Sequence, residues 1–508
     1  MKGPFPAVLP MIAVVGLAFA IPGVALSSEA VPSAPQKVSA MTISQRAVLE
    51  RRINVIANKA ANSRQFLYSD TLPIHIEAAF DPANESLIMH ADERLGPLSG
   101  FPEVEEMQQE VQEALRPILQ TIPSFQGLDW RYGGKDLYFW FPQDRVPSAH
   151  RSGHEPSSSS ASAPVLVSAG HGFYYHHGYA DWRAQRTPAH GVLEDEITTN
   201  FSSSLTAYLR YKNISVVESR PSNFAEHDPS GQPYYMIAAR YRLKELLPDR
   251  PEIWHSLPDD TSDLREYKED IRSRPLYAND LGAEAAIHLH TNANESDSAR
   301  GTRVFFAEGR PDSENLGRMV LCYMREQIHS VKSYREYPVP AAPDSGNHGE
   351  NRLAEMPSII VEVGFHTNAQ DAAAMQDHLF VDASMRGVAK GYRLFKEGKG
   401  CEEFKAEVPA DMSGFVGDVL TIPVQGSGYP EFPVMLEGKH ETCASGSCGG
   451  AYGVAFDESE LGRASMRYLC LEDDVARSPF SLRVIARDSF GVESEPVQIA
   501  LTCARRPA

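Results

Sequence analysis

Residues 164–172 read PVLVSAGHG, a short apolar run that ends on small residues. A β-branched run of this length, bounded by Ser and Gly, is typical of a buried strand. Gly170 and Gly172 then predict a tight turn with His171 at its tip. Because imidazole is a common metal ligand, we expect the chemistry of this protein to begin here.

The chain beyond this strand, up to residue 400, alternates predicted strands with predicted helices. Apolar residues at every third or fourth position predict helices at 194–209 and 316–328. Short apolar runs predict strands at 214–218, 285–290, 304–307 and 358–363. This alternation is typical of an α/β layer fold. We predict a catalytic domain at 164–400 with a central mixed, mostly parallel sheet and helices on both faces.

The flanking regions have different patterns. Residues 43–146 show two helical segments and two hairpins, with turns at 81–84 and 133–134, which predicts a small α+β domain. Residues 147–163 form a Ser-rich linker. Residues 405–508 show strands without helices and hold most of the six cysteines, which predicts an Ig-like β-sandwich with disulfides. Cys322 lies in a helical pattern that suits a buried thiol and a bridge equally.

The N-terminus has the layout of a secretory signal peptide. Lys2 precedes an apolar run that ends on small residues, so we predict a signal at 1–28, with an uncleaved membrane anchor as the alternative. An exported chain meets an oxidising compartment, which favours disulfides and a periplasmic or secreted location. The net charge of −19 argues against a nucleic-acid partner.

Polar residues lie at four predicted strand ends or helix starts. His171, Glu194 and His290 are two imidazoles and one carboxylate, the ligand set of a hydrolytic zinc. His288 lies on the same strand face as His290 and is the alternative ligand. Glu362 stands in an apolar strand, where a carboxylate is costly without a partner. We predict that it is a general base that takes a proton from water and gives it to the leaving amine.

These four clusters, in this order, resemble the zinc-dependent N-acetylmuramoyl-L-alanine amidases that cleave bacterial peptidoglycan. The family motifs are a Gly-His-Gly turn, Gly-Leu-x-Glu at a helix start, His-x-Asn-Ala after a strand, and a Pro-led strand with Val-Glu-x-Gly-Phe. The matching residues here are 170–172, 191–194, 290–293 and 357–365. The resemblance covers 165–399 and implies Zn²⁺ on His171, Glu194 and His290, with Glu362 as the catalytic glutamate.

This chain departs from the family before its first motif. It has Ser168-Ala169 where the family usually has Asp-Pro, and the loop 173–186 is rich in aromatic residues and histidine. His290 is favoured over His288 because Asn292-Ala293 follows it, as the motif requires.

The resemblance implies hydrolysis of the amide between N-acetylmuramic acid and L-alanine, in cell-wall remodelling or daughter-cell separation. Peptidoglycan is the expected partner, with a protein activator or localisation partner beside it; the sequence predicts no oligomeric state. We assign four residues to substrate binding, namely Asn292, His366, Arg352 and Arg183. The alternatives are a zinc peptidase that cuts within the stem peptide and an inactive cell-wall-binding protein.

Residues 223–273 are more than a simple connection needs and predict an insertion. Some amidases of this family have a helix that blocks the zinc until a partner displaces it. The acidic residues Asp259, Asp260, Asp263 and Glu266 suggest such a plug, and a solvated acidic helix is the alternative.

Overall fold

The structure is a computed structural model that describes residues 35–63, 72–145, 163–443 and 451–507. The predicted signal peptide lies outside these ranges, as does the predicted linker apart from Ala163. Within the described ranges, no helix has the length and apolar character needed to span a bilayer. The three largest hydrophobic cores belong to the N-terminal, central and C-terminal parts of the chain.

The N-terminal unit, residues 35–145, packs two helices on a three-stranded sheet. Helix α1 starts at a capping box formed by Thr42 and Gln45. Its apolar side packs with that of α2 against the sheet, as the predicted α+β pattern requires. The elements are α1 (Ile43–Ala61), β1 (Ile76–Asp81), β2 (Ser86–Ala91), α2 (Pro102–Leu119), β3 (Leu128–Tyr132) and α3 (Leu137–Trp140).

The second predicted hairpin of this unit is wrong. Strand β3 runs parallel to β2, and the residues after it form the helical turn α3 instead of a returning strand. The reason is local, because the Asp136 carboxylate accepts a hydrogen bond from the backbone N–H of Phe139 at 2.9 Å and caps a helix. Gly133 and Gly134, both at positive φ, end β3.

The central unit, residues 163–400, is built on a six-stranded sheet in the order β12-β11-β13-β10-β4-β7. Its strands are β4 (Val165–Ala169), β5 (Tyr174–His176), β6 (Asp181–Arg183), β7 (Val216–Glu218), β8 (Glu226–His227), β9 (Gln232–Pro233), β10 (Ala285–Asn292), β11 (Arg303–Phe306), β12 (Asp344–Ser345) and β13 (Ser358–Phe365). Its helices are α4 (Glu194–Tyr211), α5 (Ala239–Leu246), α6 (Pro251–Trp254), α7 (Arg265–Asp280), α8 (Pro311–Ser330), α9 (Gly349–Arg352), α10 (Ala369–Gln376) and α11 (His378–Lys396).

Neighbouring strands of this sheet are parallel except where β11 meets β13. Alternate residues of β4 point to opposite faces, so Val165 and Val167 pack under α4, α8, α10 and α11 while Leu166 packs under α5, α6 and α7. The predicted mixed, mostly parallel sheet with helices on both faces is confirmed.

The C-terminal unit is rich in β-structure around its own core. Its elements are β14 (Lys405–Glu407), β15 (Asp411–Phe415), β16 (Val419–Pro423), β17 (Gln425–Ser427), β18 (Val434–Cys443), β19 (Ala451–Phe456), β20 (Ser465–Leu469), α12 (Glu472–Arg477), β21 (Phe480–Arg487) and β22 (Val497–Ala504). A five-stranded sheet, β15-β22-β21-β18-β19, is its largest layer. The Ig-like classification stays a prediction.

Two disulfides confirm the predicted use of cysteine. Cys470–Cys503 staples the C-terminal unit. Cys322–Cys401 ties α8 to the segment after α11, so Cys322 forms a bridge and is not a free thiol. The segment around Cys448 lies outside the described residues.

The predicted insertion, 223–273, folds onto the central sheet as the hairpin β8–β9, helices α5 and α6 and the first half of α7. Helix α7 crosses the sheet with most of its side chains buried. Helix α2 of the N-terminal unit docks on the central unit, including α7, through acidic side chains. Glu113 pairs with Arg303 at 2.9 Å and Glu106 pairs with Arg186 at 2.8 Å.

Candidate metal centre

The three predicted metal ligands meet at the carboxyl end of the central sheet. His171 follows β4, His290 lies near the end of β10, and Glu194 is the first residue of α4. Strands β4 and β10 are parallel neighbours, so their ends share one edge of the sheet. His171 and Gly172 have φ values of 60° and 127°, and this left-handed turn ends β4.

The donor atoms of these residues form a small buried triangle. His290 Nδ1 lies 3.1 Å from both His171 Nε2 and Glu194 Oε1, and the last two atoms are 3.4 Å apart. Ligands of a tetrahedral zinc are about 3.3 Å from one another, so the spacing fits zinc. Within the described part of the chain, this is the one group of three His, Cys, Asp or Glu residues with donor atoms close enough for a metal.

Gly170 lets the His290 ring lie directly against the turn. A Cβ atom at this position would stand 2.3 Å from His290 Cε1 and 2.5 Å from Nδ1, closer than van der Waals contact permits. The absence of a side chain at Gly170 is therefore a condition for the ligand triangle.

The variant Gly170→Ala is expected to push the His290 ring out of place. We expect zinc affinity to fall about 10-fold or more, since ligand orientation controls metal affinity, and the free energy of unfolding to fall by about 1–3 kcal/mol through overpacking. Zinc titration and denaturant unfolding measure both. Gly400→Ala is the control, because nothing lies within 4 Å of a Cβ there; equal zinc affinity in both variants would contradict the packing argument.

The electrostatics of the two histidines differ. Burial and the nearby Arg186 lower the pKa of His171 to about 3, which keeps its imidazole neutral. Burial also opposes charge on His290, but the carboxylates of Glu350 and Glu194 outweigh it and raise the pKa of His290 to about 10. Despite its burial, the pKa of Glu194 is held well below its usual value, chiefly by His171. In the metal-free protein, Glu194 is therefore an anion at neutral pH.

Glu362 stands next to His290 in the paired strands β13 and β10. Its side chain is buried, and its Oε2 atom has no hydrogen-bond partner among the described residues. Burial raises the pKa of Glu362 to about 8, and the neighbouring Glu194 adds to the rise. A buried carboxyl group that holds and releases a proton near neutral pH is suited to acid–base catalysis.

This raised pKa predicts a pH-dependent stability of the metal-free protein. Between pH 4.5 and 8 folded Glu362 keeps a proton that the unfolded chain has lost, so stability falls as pH rises. Glu362→Gln has no proton to lose at this position. Its free energy of unfolding is expected to equal that of the wild type at pH 5 and to exceed it by a few kcal/mol at pH 9, at about 1.4 kcal/mol per pKa unit. Denaturant unfolding at both pH values measures it. A variant that is less stable than the wild type at pH 9 would reverse the sign and refute the assignment.

A cavity of about 660 Å³ opens over the ligand triangle and Glu362. One wall is formed by Pro102, Glu105, Glu106 and Gln109 of α2. Arg186 connects this wall to the site, because its guanidinium contacts Glu106 and lies 3.5 Å from Glu194 Oε2. The N-terminal unit is therefore part of the site's enclosure.

A family model described as N-acetylmuramoyl-L-alanine amidase matches residues 165–393. The match contains β4, α4, β10 and β13, and with them all three ligand residues and Glu362. Residues 165–393 are an N-acetylmuramoyl-L-alanine amidase domain. The resemblance predicted from the four motifs is confirmed.

Solved structures similar to this chain include three amidases. The N-acetylmuramoyl-L-alanine amidase AmiC2 of Nostoc punctiforme is 16% identical, with a TM-score of 0.32, over 47% of this chain and 99% of that chain. The catalytic domain of CwlV from Bacillus (Paenibacillus) polymyxa var. colistinus is 16% identical, with a TM-score of 0.29, over 47% and 100%. An amidase from Clostridium difficile 630 is 18% identical, with a TM-score of 0.32, over 47% and 100%. No match was found among curated proteins.

Two of the four predicted substrate residues line the cavity of the amidase domain. Asn292 is buried there, and neither atom of its side-chain amide has a hydrogen-bond partner among the described residues. His366 also lines the cavity, with Nδ1 2.8 Å from Thr291 Oγ1. Both are placed where a substrate in the cavity would meet them.

The structure does not bring the other two predicted substrate residues to this cavity. Arg352 is buried against the N-terminal unit, where its guanidinium pairs with Asp144 at 3.2 Å and Glu105 at 3.5 Å. Arg183 lies on the exposed hairpin β5–β6, 3.8 Å above the ring of Tyr179. Neither lines the catalytic cavity. Arg352 is held in this position because the N-terminal unit docks against it. The sequence of either unit alone does not predict this contact.

The acidic run of the predicted plug does not cover the amidase site. None of its four carboxylates lines the cavity. Glu266 instead pairs with Arg240 at 2.8 Å and His177 at 2.9 Å, and Asp260 lies 3.4 Å from Lys268. The predicted plug is therefore absent from the described structure.

Three residues that motif reading missed surround the ligands of the amidase domain. His171 Nδ1 lies 2.9 Å from Gln185 Oε1, and Glu350 Oε2 lies 2.9 Å from His290 Nε2. Glu106 reaches the cavity from another unit. The alternative ligand, His288, does not join the triangle, and its Nδ1 lies 3.3 Å from Glu350. The sequence signal for Glu350 is weak: it is a carboxylate seven residues before Pro357, at the start of the fourth motif.

Proposed function

We propose that this protein is a zinc-dependent enzyme that hydrolyses the amide between N-acetylmuramic acid and L-alanine of peptidoglycan, in cell-wall remodelling or daughter-cell separation. The observation that carries the proposal is the buried ligand triangle with Glu362 beside it, at the base of a cavity that the amidase domain forms together with α2 of the N-terminal unit. This arrangement contains the groups that metal-assisted amide hydrolysis needs.

His171, Glu194 and His290 would hold the zinc through Nε2, a carboxylate oxygen and Nδ1. Bound there, zinc supplies Lewis-acid polarisation of the scissile carbonyl and acidifies water. Glu362 accepts the proton of the attacking water on its carboxylate and returns it to the nitrogen of the leaving alanine as the C–N bond breaks. Its burial favours the protonated state, which helps the second transfer.

The cavity also has groups for substrate positioning. Asn292 offers an unused donor and acceptor for an amide or an N-acetyl group. We assign the developing oxyanion to His366 and a stem-peptide carboxylate to Arg186, and both residues line the cavity. The proposed substrate residues are therefore Asn292, His366 and Arg186. Arg186 is added to the set predicted from the sequence, and Arg352 and Arg183 are removed from it.

We also propose that the enzyme is exported, with residues 43–146, 164–400 and 405–508 as its folding units. The two disulfides and the cell-wall substrate support a periplasmic or extracellular location. A protein activator or localisation partner would bind the flanking units.

Digestion of purified sacculi by the zinc-loaded protein, followed by mass spectrometry, tests the reaction. The expected products are intact stem peptides with a free N-terminal alanine and glycan strands that keep the lactyl group. Shortened peptides would indicate a peptidase that uses the same ligand set. The absence of any product, together with pelleting of the protein on sacculi, would indicate an inactive cell-wall-binding protein.

A further inference from the structure

Each histidine of the ligand triangle contacts a polar group with its nitrogen that faces away from the triangle. For His171 this group is Gln185, whose Oε1 lies 2.9 Å from Nδ1. The same side chain donates through Nε2 to Asp270 Oδ2 at 2.9 Å. Gln185 therefore connects His171 to helix α7.

The group that faces His290 is Glu350 of the short helix α9. Its Oε2 atom lies 2.9 Å from His290 Nε2, at hydrogen-bonding distance, although the two groups are not aligned for a linear bond. Its Oε1 atom contacts the Arg274 guanidinium. Glu350 is 4% exposed, so this charge is held inside the protein.

Helix α7 joins the two contacts into one chain of groups. Asp270 and Arg274 are one turn apart and pair at 3.3 Å, and both have fully buried side chains. The chain runs from His171 through Gln185, Asp270, Arg274 and Glu350 to His290. It links both histidine ligands without passing through the metal position.

Buried ion pairs contribute little to stability, because desolvation offsets most of the attraction. Arg274 is among the largest fully buried side chains of the described structure, in contact with two buried carboxylates. Apolar residues of similar volume would pack there at no electrostatic cost. The charged and amide groups instead fix the tautomer of each histidine. A carboxylate or amide oxygen beside one imidazole nitrogen keeps the proton on that nitrogen, and the lone pair of the other nitrogen is left for the metal.

We infer that Gln185, Asp270, Arg274 and Glu350 form a positioning network that sets the tautomer and ring orientation of both histidine ligands. It directs Nε2 of His171 and Nδ1 of His290 to the same point. The inference rests on the proposed function in one respect, namely that the triangle binds zinc. It gives the inserted segment and α7 a role in metal affinity, in place of the predicted plug.

The test measures zinc affinity of metal-free protein by competition with a chromophoric chelator. Glu350→Gln and Asp270→Asn are expected to weaken zinc binding about 10–100-fold, the usual effect of removing a partner of a metal-bound histidine. Glu269→Gln is the matched control. Glu269 lies on α7 next to Asp270 and is as buried as Asp270. It bridges His255 at 2.6 Å and Arg240 at 2.8 Å, and it does not line the cavity.

An unchanged zinc affinity in Glu350→Gln, or an equal loss in Glu269→Gln, would overturn the network. If Glu350→Gln does not fold, Glu350→Asp takes its place, because it keeps the charge beside Arg274 and moves the carboxylate away from His290; the same 10-fold or larger loss is required. A double variant of Gln185→Ala and Glu350→Gln should lose less affinity than the product of the two single losses, since both act through one chain. Strict multiplicativity would refute the coupling.

These measurements are independent of the reaction. Failure of wild-type protein to release stem peptides at saturating zinc would refute the proposed function and leave the affinity comparison intact. Normal stem-peptide release with unchanged zinc affinity in every variant would refute the network alone.

Discussion

Glu362→Gln is expected to remove the release of stem peptides from sacculi while zinc stays bound. The glutamine amide occupies the volume of the carboxyl group but neither accepts nor returns the proton. Loss of general acid–base catalysis lowers the rate about 10²–10⁴-fold. Because Glu362 is outside the ligand triangle, the variant should still bind one zinc per chain. Muropeptide mass spectrometry and metal analysis of the same sample measure the two properties.

Glu355→Gln is the matched control, because Glu355 is exposed just before β13 and bonds Asn279 through its backbone N–H. Its activity should equal that of the wild type. Retention of more than about a tenth of wild-type activity in Glu362→Gln would assign the proton transfer to another group. Loss of zinc from this variant would instead make Glu362 a ligand.

His171→Ala is expected to lose both zinc and activity. Removal of one ligand of three should weaken zinc binding by more than about 100-fold, since even the loss of an outer partner costs 10–100-fold. Chelation of wild-type protein should abolish activity in the same way, and added zinc should restore it only where the triangle is intact. Metal titration and sacculus digestion before and after chelation give the comparison.

His378→Ala is the control for this variant, since His378 is exposed and does not line the amidase cavity. It should bind zinc and digest sacculi as the wild type does. Full activity of His171→Ala after exhaustive chelation would show that the reaction needs no metal at this site, and it would refute the proposed mechanism.

The ligand set itself was accessible from sequence. His171, Glu194 and His290 each lie at or beside an end of a regular element whose apolar pattern is clear, and parallel strands bring their carboxyl ends to one edge. Local pattern and fold class therefore place these three side chains together. The same holds for Glu362, which lies in register with His290 on the next strand.

The groups around the ligands were not accessible in this way. Glu350 and Asp270 occupy elements with no distinctive pattern, and their meeting with His290 and Gln185 depends on how α7 crosses the sheet. The fit of a guanidinium to a carboxylate predicts a substrate role for Arg352, yet Glu105 and Asp144 of the N-terminal unit bind this side chain. Contacts between residues more than 200 positions apart in the chain leave no pattern in the local sequence.

The sequence alone determined the strand at 164–172, the α/β alternation, the order of the four motifs and the three candidate metal ligands. These follow from local periodicity and from side-chain chemistry, which each short segment contains in full. The tertiary structure alone decided that α2 walls the cavity, that the acidic run 259–266 of the inserted segment lies outside it, and that α7 connects the two histidines. Those features arise from the docking of surfaces whose partners are distant in the chain, so no segment specifies them by itself.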